Sequence, residues 1–188
     1  MSASPVLFWT YSDDLIPEEI RKYYLKVYKK LPSAVPLVGN KLVGEKEDKN
    51  VRDVKMAQIA THTGIPAMLF SAMINANRQS FKFDIEGPES SNFLSYKKNQ
   101  QYVTHPDEVF LCPPIPRRVR KLSAFVSLND NYKGGRFYIH GHDGEKFYPE
   151  LKAGQIIVFP SLYPHGVEPV TKGTRYSVVL WGEGPAFK

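Results

Sequence analysis

Cysteine is almost missing from this 188-residue chain: Cys112 is the only one, so no intrachain disulfide can form and the fold must rest on its core. A lone thiol fits a reducing compartment, and the cytoplasm is the expected location. Long hydrophobic runs are missing too. No stretch approaches the roughly 18 apolar residues that a membrane span needs, so no membrane partner is expected. The opening Met-Ser-Ala-Ser-Pro-Val-Leu-Phe-Trp lacks the basic start and long apolar run of a secretion signal, and reads as a first strand. There is no internal repeat and no shift of composition that marks a boundary. Residues 1–188 therefore read as one domain, long enough to bury a core without staples.

Blocks of one charge are scarce. Lysine and arginine outnumber the acids by 25 to 19, a formal charge of +6, but the lysines are scattered, which fits a solvated surface better than a nucleic-acid face. The exception is Arg117-Arg118-Val-Arg120-Lys121, a basic run after the proline-rich Phe110-Leu-Cys-Pro-Pro-Ile-Pro. That segment, 108–120, reads either as a lid over a groove or as an ordinary strand connector.

What the chain has in quantity is turn residues, 15 prolines and 13 glycines, alongside 13% aromatic residues. These point to many short strands rather than a helical bundle. Pro17-Glu18-Glu19 suits a helix start, and Ile20, Tyr23, Tyr24, Val27 and Leu31 recur at helical spacing as its expected inward stripe. Residues 32–50 read as a long polar surface loop. A weak strand is expected over 52–59, then a second helix over 67–77 that buries Met68, Leu69, Ala72 and Met73. From 81 onward the pattern is β, with strands expected over 81–86, 92–96, 101–105, 121–128, 136–140, 146–148, 155–159, 166–169 and 175–181. Leu122, Ala124, Val126 and Leu128 share one apolar face. Helices first and strands after predict an α+β, mainly β chain: a jelly roll with the N-terminal helices packed on one sheet.

The chemistry centres on His105-Pro-Asp107. Two residues apart on an extended strand, both side chains face one way, as two ligands of one metal must. Alone the pair means little, since such a spacing is common and His105 could simply pair near a loop. A distal His165, in Pro164-His165-Gly166, changes the odds. Two imidazoles and a carboxylate leave open positions on a metal, the pattern of non-haem Fe(II) oxygenases. Arg175 and Ser177 again share one face, with Val179 and Trp181 continuing it. An arginine aimed into a sheet sandwich needs an anion to meet it, and a carboxylate matches its fork. His62, His140 and His142 lack partner spacing and read as turn or surface histidines. Cys112 reads as a small apolar loop residue.

Jointly, Tyr102-Val-Thr-His-Pro-Asp, Gly154-Gln-Ile-Ile-Val-Phe-Pro-Ser, His165-Gly-Val-Glu-Pro-Val and Gly173-Thr-Arg-Tyr-Ser-Val-Val-Leu-Trp resemble the Fe(II)- and 2-oxoglutarate-dependent dioxygenases, specifically the small prolyl-hydroxylase-like members of bacteria and their phages. The resemblance runs from about residue 51 to the C-terminus. It implies a double-stranded β-helix with His105, Asp107 and His165 as both catalytic centre and iron ligands. Arg175 and Ser177 would bind 2-oxoglutarate, and Tyr96 resembles a tyrosine that hydrogen-bonds the co-substrate. Implied with it are O2, ascorbate as an accessory reductant, release of succinate and CO2, and a proline-containing peptide or protein as substrate. One departure stands out: the animal oxygen-sensing members carry a tyrosine two residues before the asparagine matching Asn129, where this chain has Ser127. Two rivals remain in view, an oxidative nucleic-acid demethylase suggested by the basic run, and a non-catalytic binding module on the same scaffold.

Overall fold

The computed structural model describes residues 8–11, 15–36, 38–40, 44–46, 48, 50–108, 117–141 and 143–186. Cys112, His142 and most of the expected lid lie outside them, as does the start of the first expected strand. In chain order the elements are β1 (Trp9–Tyr11), α1 (Glu18–Tyr28), β2 (Val38–Asn40), β3 (Gly44–Lys46), β4 (Lys55–Ile59), α2 (Gly64–Ala76) with a π-helical turn (Asn77–Phe81), and β5 (Gly87–Tyr96). There follow β6 (Tyr102–His105), β7 (Arg118–Ser127), β8 (Lys133–Gly134), β9 (Phe137–His140), β10 (Lys146–Phe147), β11 (Ile156–Pro160), β12 (His165–Val167), β13 (Val170–Lys172) and β14 (Arg175–Pro185).

Two antiparallel sheets carry the molecule. The larger has the order β1-β11-β7-β14-β5-β4 and the smaller β10-β9-β12-β6. Strand parity divides the interior in two, because alternate residues of a strand point to opposite faces. On β7, Leu122, Ala124 and Val126 face outward from the sandwich, and join Val178 and Leu180 of β14 and Ile156 and Val158 of β11 under the helices. Ile65, Leu69, Ala72, Met73 and Ala76 of α2 close that layer. Each large side chain buried there contributes roughly 1.5–3 kcal/mol. The intervening residues, Phe125, Ile157 and Phe159, face the small sheet and pack with Phe137, Ile139 and Val167. Helices over one sheet and a second sheet over its other face form the jelly roll expected from the sequence.

Several local expectations are corrected. Ile20, Tyr23 and Val27 of α1 are 38%, 62% and 39% exposed, not buried. Tyr24 and Leu31 of the expected stripe do pack against the core, and the helix is seated by an aromatic ladder, Tyr24 on Tyr28 at 5.4 Å and Tyr28 on Phe93 at 5.5 Å. Arg21 fixes its rotation by donating to the carbonyls of Ile16 and Ala153 at 2.8 and 2.9 Å. The polar stretch 32–50 contains a short hairpin, β2 with β3. Residues 81–86 form no strand. There the buried Asn77 donates to the Phe83 carbonyl at 2.8 Å and accepts from the Phe83 N–H at 2.9 Å, ending the helix, with Lys82 in the left-handed region at φ 60°.

Candidate active site

The small sheet brings the two histidines together. His105, the last residue of β6, lies directly opposite His165, the first of β12. Gly166 permits this approach, since an added Cβ would meet the Tyr138 hydroxyl and stand 2.8 Å from the Tyr102 carbonyl oxygen. Just beyond β6, the chain is pinned to the end of β11 by an Asp107 N–H bond to the Ser161 carbonyl at 2.9 Å. That turn aims the carboxylate inward. Asp107 Oδ1 lies 3.7 Å from His105 Nε2, and Oδ2 lies 3.4 Å from His165 Nε2. The donor atoms of all three residues fall within 4.8 Å of one another.

Hydrogen bonds settle which nitrogens are free. His105 Nδ1 is 2.9 Å from the Val103 carbonyl and His165 Nδ1 is 2.9 Å from the Tyr163 carbonyl. A carbonyl only accepts, so each Nδ1 carries a proton and each Nε2 is the nitrogen that faces Asp107, the atom a metal would take. Asp107 Oδ2 accepts from Ser123 Oγ at 2.6 Å, and Ser123 is held by Ser161 Oγ at 2.9 Å. Burial alone would raise the Asp107 carboxyl, but His165, His105 and the Ser123 hydroxyl hold it well below the usual carboxylate range. Burial pushes the His165 imidazole down to about 4, against the pull of Asp107. Both shifts keep these two groups in the form that binds a metal, an ionised carboxylate and a neutral imidazole.

A cavity of about 510 Å³ of empty space, part of it open to solvent, extends from this cluster. Its walls are mostly apolar and aromatic: Tyr96, Tyr102, Phe125, Phe137, Phe159 and Trp181 among them. Tyr102 stacks on His105 at 3.5 Å between ring centres. Along β14, Arg175, Ser177, Val179 and Trp181 all line the cavity, as their period of two requires. Arg175 is 3% exposed, donates from Nη1 to Ser177 Oγ at 2.9 Å, and has a buried Nε with no partner. Among the described residues no carboxylate pairs with it. Its guanidinium stands 5.5 Å from the rings of both Tyr96 and Phe125. Tyr96 faces it across the sheet, and burial pushes its phenol up to about 12, so the hydroxyl remains a donor at neutral pH.

The structure thus gathers every residue singled out from the sequence: His105, Asp107, His165, Arg175, Ser177 and Tyr96 all line or point into one cavity. His62 is exposed, and His140 bonds Thr104 and the Gly144 carbonyl away from the cluster. Sequence reasoning missed Ser123 and Ser161, which orient Asp107, and Arg52. The signal for Ser123 was present, since it shares the cavity face of β7 with Phe125. The donor set fits iron, with two free imidazole nitrogens and one carboxylate, and no fourth His, Cys, Asp or Glu joins them among the described residues. The unpaired Arg175 fits the distal carboxylate of 2-oxoglutarate.

A jelly roll with this donor set falls in the class of non-haem Fe(II) oxygenases. More narrowly, residues 91–183 match the family model of the 2OG-Fe(II) oxygenase superfamily. A PKHD-type hydroxylase of Gloeothece citriformis is 31% identical over 136 residues, 72% of this chain and 59% of the relative. Among the similar curated relatives, the chain spans between 39% and 59% of their length. Solved structures share the fold. A Pseudomonas putida prolyl-4-hydroxylase superposes with a TM-score of 0.69 at 19% identity, covering 95% of this chain and 93% of its own. A prolyl hydroxylase from Trichoplax adhaerens, in complex with a hypoxia inducible factor peptide fragment, gives 0.70 at 18% identity, with coverage of 93% and 82%. No described helix is long and apolar enough to cross a membrane.

Proposed function

We propose that this chain is an Fe(II)- and 2-oxoglutarate-dependent hydroxylase of a prolyl residue in a peptide or protein. The observation that carries the reading is the convergence of two imidazole nitrogens and one carboxylate beside a buried arginine that meets no carboxylate among the described residues. In this reading His105, Asp107 and His165 hold the iron, Arg175 and Ser177 take the distal carboxylate of 2-oxoglutarate, and Tyr96 donates to the co-substrate. Iron with 2-oxoglutarate and O2 supplies oxidative decarboxylation to succinate and CO2, coupled to hydroxylation of an unactivated C–H bond.

The chain's own residues do the rest. The Val103 and Tyr163 carbonyls fix both imidazole tautomers, and Ser123 turns the Asp107 carboxylate inward. Phe125, Phe137 and Phe159 keep the cavity apolar, which strengthens the pull of Arg175 on an anion and excludes water. Support for a prolyl substrate comes from the naming of the neighbours, one of them in complex with a peptide, and from an aromatic wall suited to a pyrrolidine ring.

The nucleic-acid rival rested on Arg117-Arg118-Val-Arg120-Lys121. Arg118 is engaged by Glu86 and Glu183, Arg120 by Glu89, and Lys121 is only 5% exposed. Three of its four cations are thus paired or buried, which weakens the run as a phosphate-binding patch. The binding-module rival requires a degraded site, whereas here every site side chain is in position. Succinate release from 2-oxoglutarate, with Fe(II), ascorbate and a panel of proline peptides, tests the proposal. Turnover that rises with a peptide and vanishes in His105→Ala supports it. Full turnover with another substrate and none with proline peptides would refute the prolyl assignment.

A further inference from the structure

We infer that Arg52 is a second anion-recognition point in this cavity, and that the molecule hydroxylated there carries a carboxylate near its reacting carbon. The inference deepens the hydroxylase reading and rests on it. Arg52 precedes β4 and is bridged through its backbone to Tyr102. Its guanidinium lies 4.6 Å over the Tyr102 ring, which itself stacks on His105, so the charge stands beside the metal end of the cavity that it lines. Arg52 Nε is buried with no hydrogen-bond partner. Among the described residues Nη2 reaches Met56 Sδ alone, at 3.7 Å, a weak acceptor.

Four other arginines of the described residues are treated differently, whereas Arg175 shares the unpartnered state of Arg52. Arg118, Arg120 and Arg136 each hold glutamates, and Arg21 has two carbonyls. Among the described residues no carboxylate pairs with Arg52. Arg52 is half-buried, and burying its Nε without an acceptor is costly, so the arrangement is sensible when a ligand completes it. The cofactors do not. A divalent iron, a doubly charged 2-oxoglutarate, Asp107 and Arg175 balance charge for charge, which leaves the Arg52 charge offset by none of them. A substrate carboxylate would balance it and match the planar fork with two parallel hydrogen bonds. That carboxylate could be an acidic side chain next to the target residue or the free terminus of a chain or amino acid.

The test is calorimetric binding to full-length protein loaded with redox-inert Zn(II) and 2-oxoglutarate, so that no turnover intervenes. The probes are matched pairs: acetyl-Ala-Pro-Asp-Ala-amide against its Asn twin, and acetyl-Ala-Pro with a free carboxylate against its amide. A third and fourth pair carry Ala in place of Pro. We expect the carboxylate member of at least one pair to bind wild type about tenfold or more tightly than its neutral twin. Arg52→Gln should erase that difference while leaving the neutral twin and 2-oxoglutarate itself bound as before, and Arg52→Lys should restore part of it. Which pair responds names the source of the carboxylate. Equal binding within every pair by wild type overturns the inference, as does a preference that survives in Arg52→Gln. Loss of 2-oxoglutarate affinity in Arg52→Gln would reassign the residue to the co-substrate and also overturn it. A preference shown equally by alanine peptides keeps the inference and sinks the prolyl reading, so the two fail separately. Should Arg52→Gln not fold, the wild-type pairs and Arg52→Lys still decide.

Discussion

At the scale of single residues, the site is a set of groups whose ordinary partners have been withheld. Arg175 is nearly sealed from water yet meets only a serine hydroxyl and two rings. If a carboxylate of 2-oxoglutarate completes it, Arg175→Gln should raise the dissociation constant for 2-oxoglutarate by about 10- to 100-fold, the worth of a charged hydrogen-bond pair. Arg175→Lys should recover only part, because an ammonium cannot offer the fork. Titration of 2-oxoglutarate into the metal-loaded variants reads both, and unchanged affinity would sink the assignment. Ser123 makes a different prediction. It touches no ligand position but donates to Asp107, and such supporting bonds carry about 10- to 100-fold in metal affinity. Ser123→Ala should weaken metal binding within that range and leave 2-oxoglutarate affinity in the metal-saturated protein nearly unchanged.

These residues also show what a sequence can disclose. Arg175 and Ser177 were legible because strand parity is local: two residues apart on β14 means one face. Asp107 was found by its spacing from His105, although it lies past the end of β6, where a bend rather than parity turns it inward. His165 was legible only through its company, and its register opposite His105 required the folded sheet. Ser123 and Ser161 meet Asp107 across 16 and 54 positions of chain, and nothing local marks that meeting. Arg52 stayed hidden for the converse reason. What distinguishes it is the absence of a partner, and an absence cannot be read before the neighbours are assembled.

At the scale of elements, periodicity told which segments are regular better than which face is buried. Of the stripe expected for α1, Tyr24 and Leu31 pack against the core, while Ile20, Tyr23 and Val27 face solvent, because Tyr24, Tyr28 and Arg21 set the helix's rotation. The strand expected over 81–86 failed on one side chain. Asn77 satisfies both backbone groups of Phe83, which would otherwise seek a sheet partner. Asn77→Ala leaves those two groups unsatisfied in a largely buried position, at a cost of about 1–3 kcal/mol. Denaturant unfolding should report that loss, and Asn77→Asp, which keeps an acceptor for the Phe83 N–H but loses the donor, should fall between. A variant as stable as wild type would mean that water replaces the side chain.

At the scale of the molecule, the candidate centre is a clasp between two sheets. His105 and His165 belong to the small sheet, whereas Ser123, which orients Asp107, and Arg175 belong to the large one. Between them lies the aromatic layer of Phe125, Phe137 and Phe159. A ligand that binds only the assembled centre stabilises the fold by mass action, about 2.7 kcal/mol at one hundred times its dissociation constant. For a chain of this length each kcal/mol moves the midpoint by about 2–4 °C, so saturating Zn(II) or Mn(II) should raise the Tm by roughly 5–11 °C over protein in chelator. If its distal carboxylate ties Arg175 of the large sheet to a metal held by the small one, adding 2-oxoglutarate should raise it further in wild type. His165→Ala should bring the metal and chelator curves together, and Arg175→Gln should keep the metal step but lose most of the 2-oxoglutarate step. If instead metal shifts the Tm of His165→Ala as much as that of wild type, the ion is bound elsewhere, and the clasp is not the centre of this molecule.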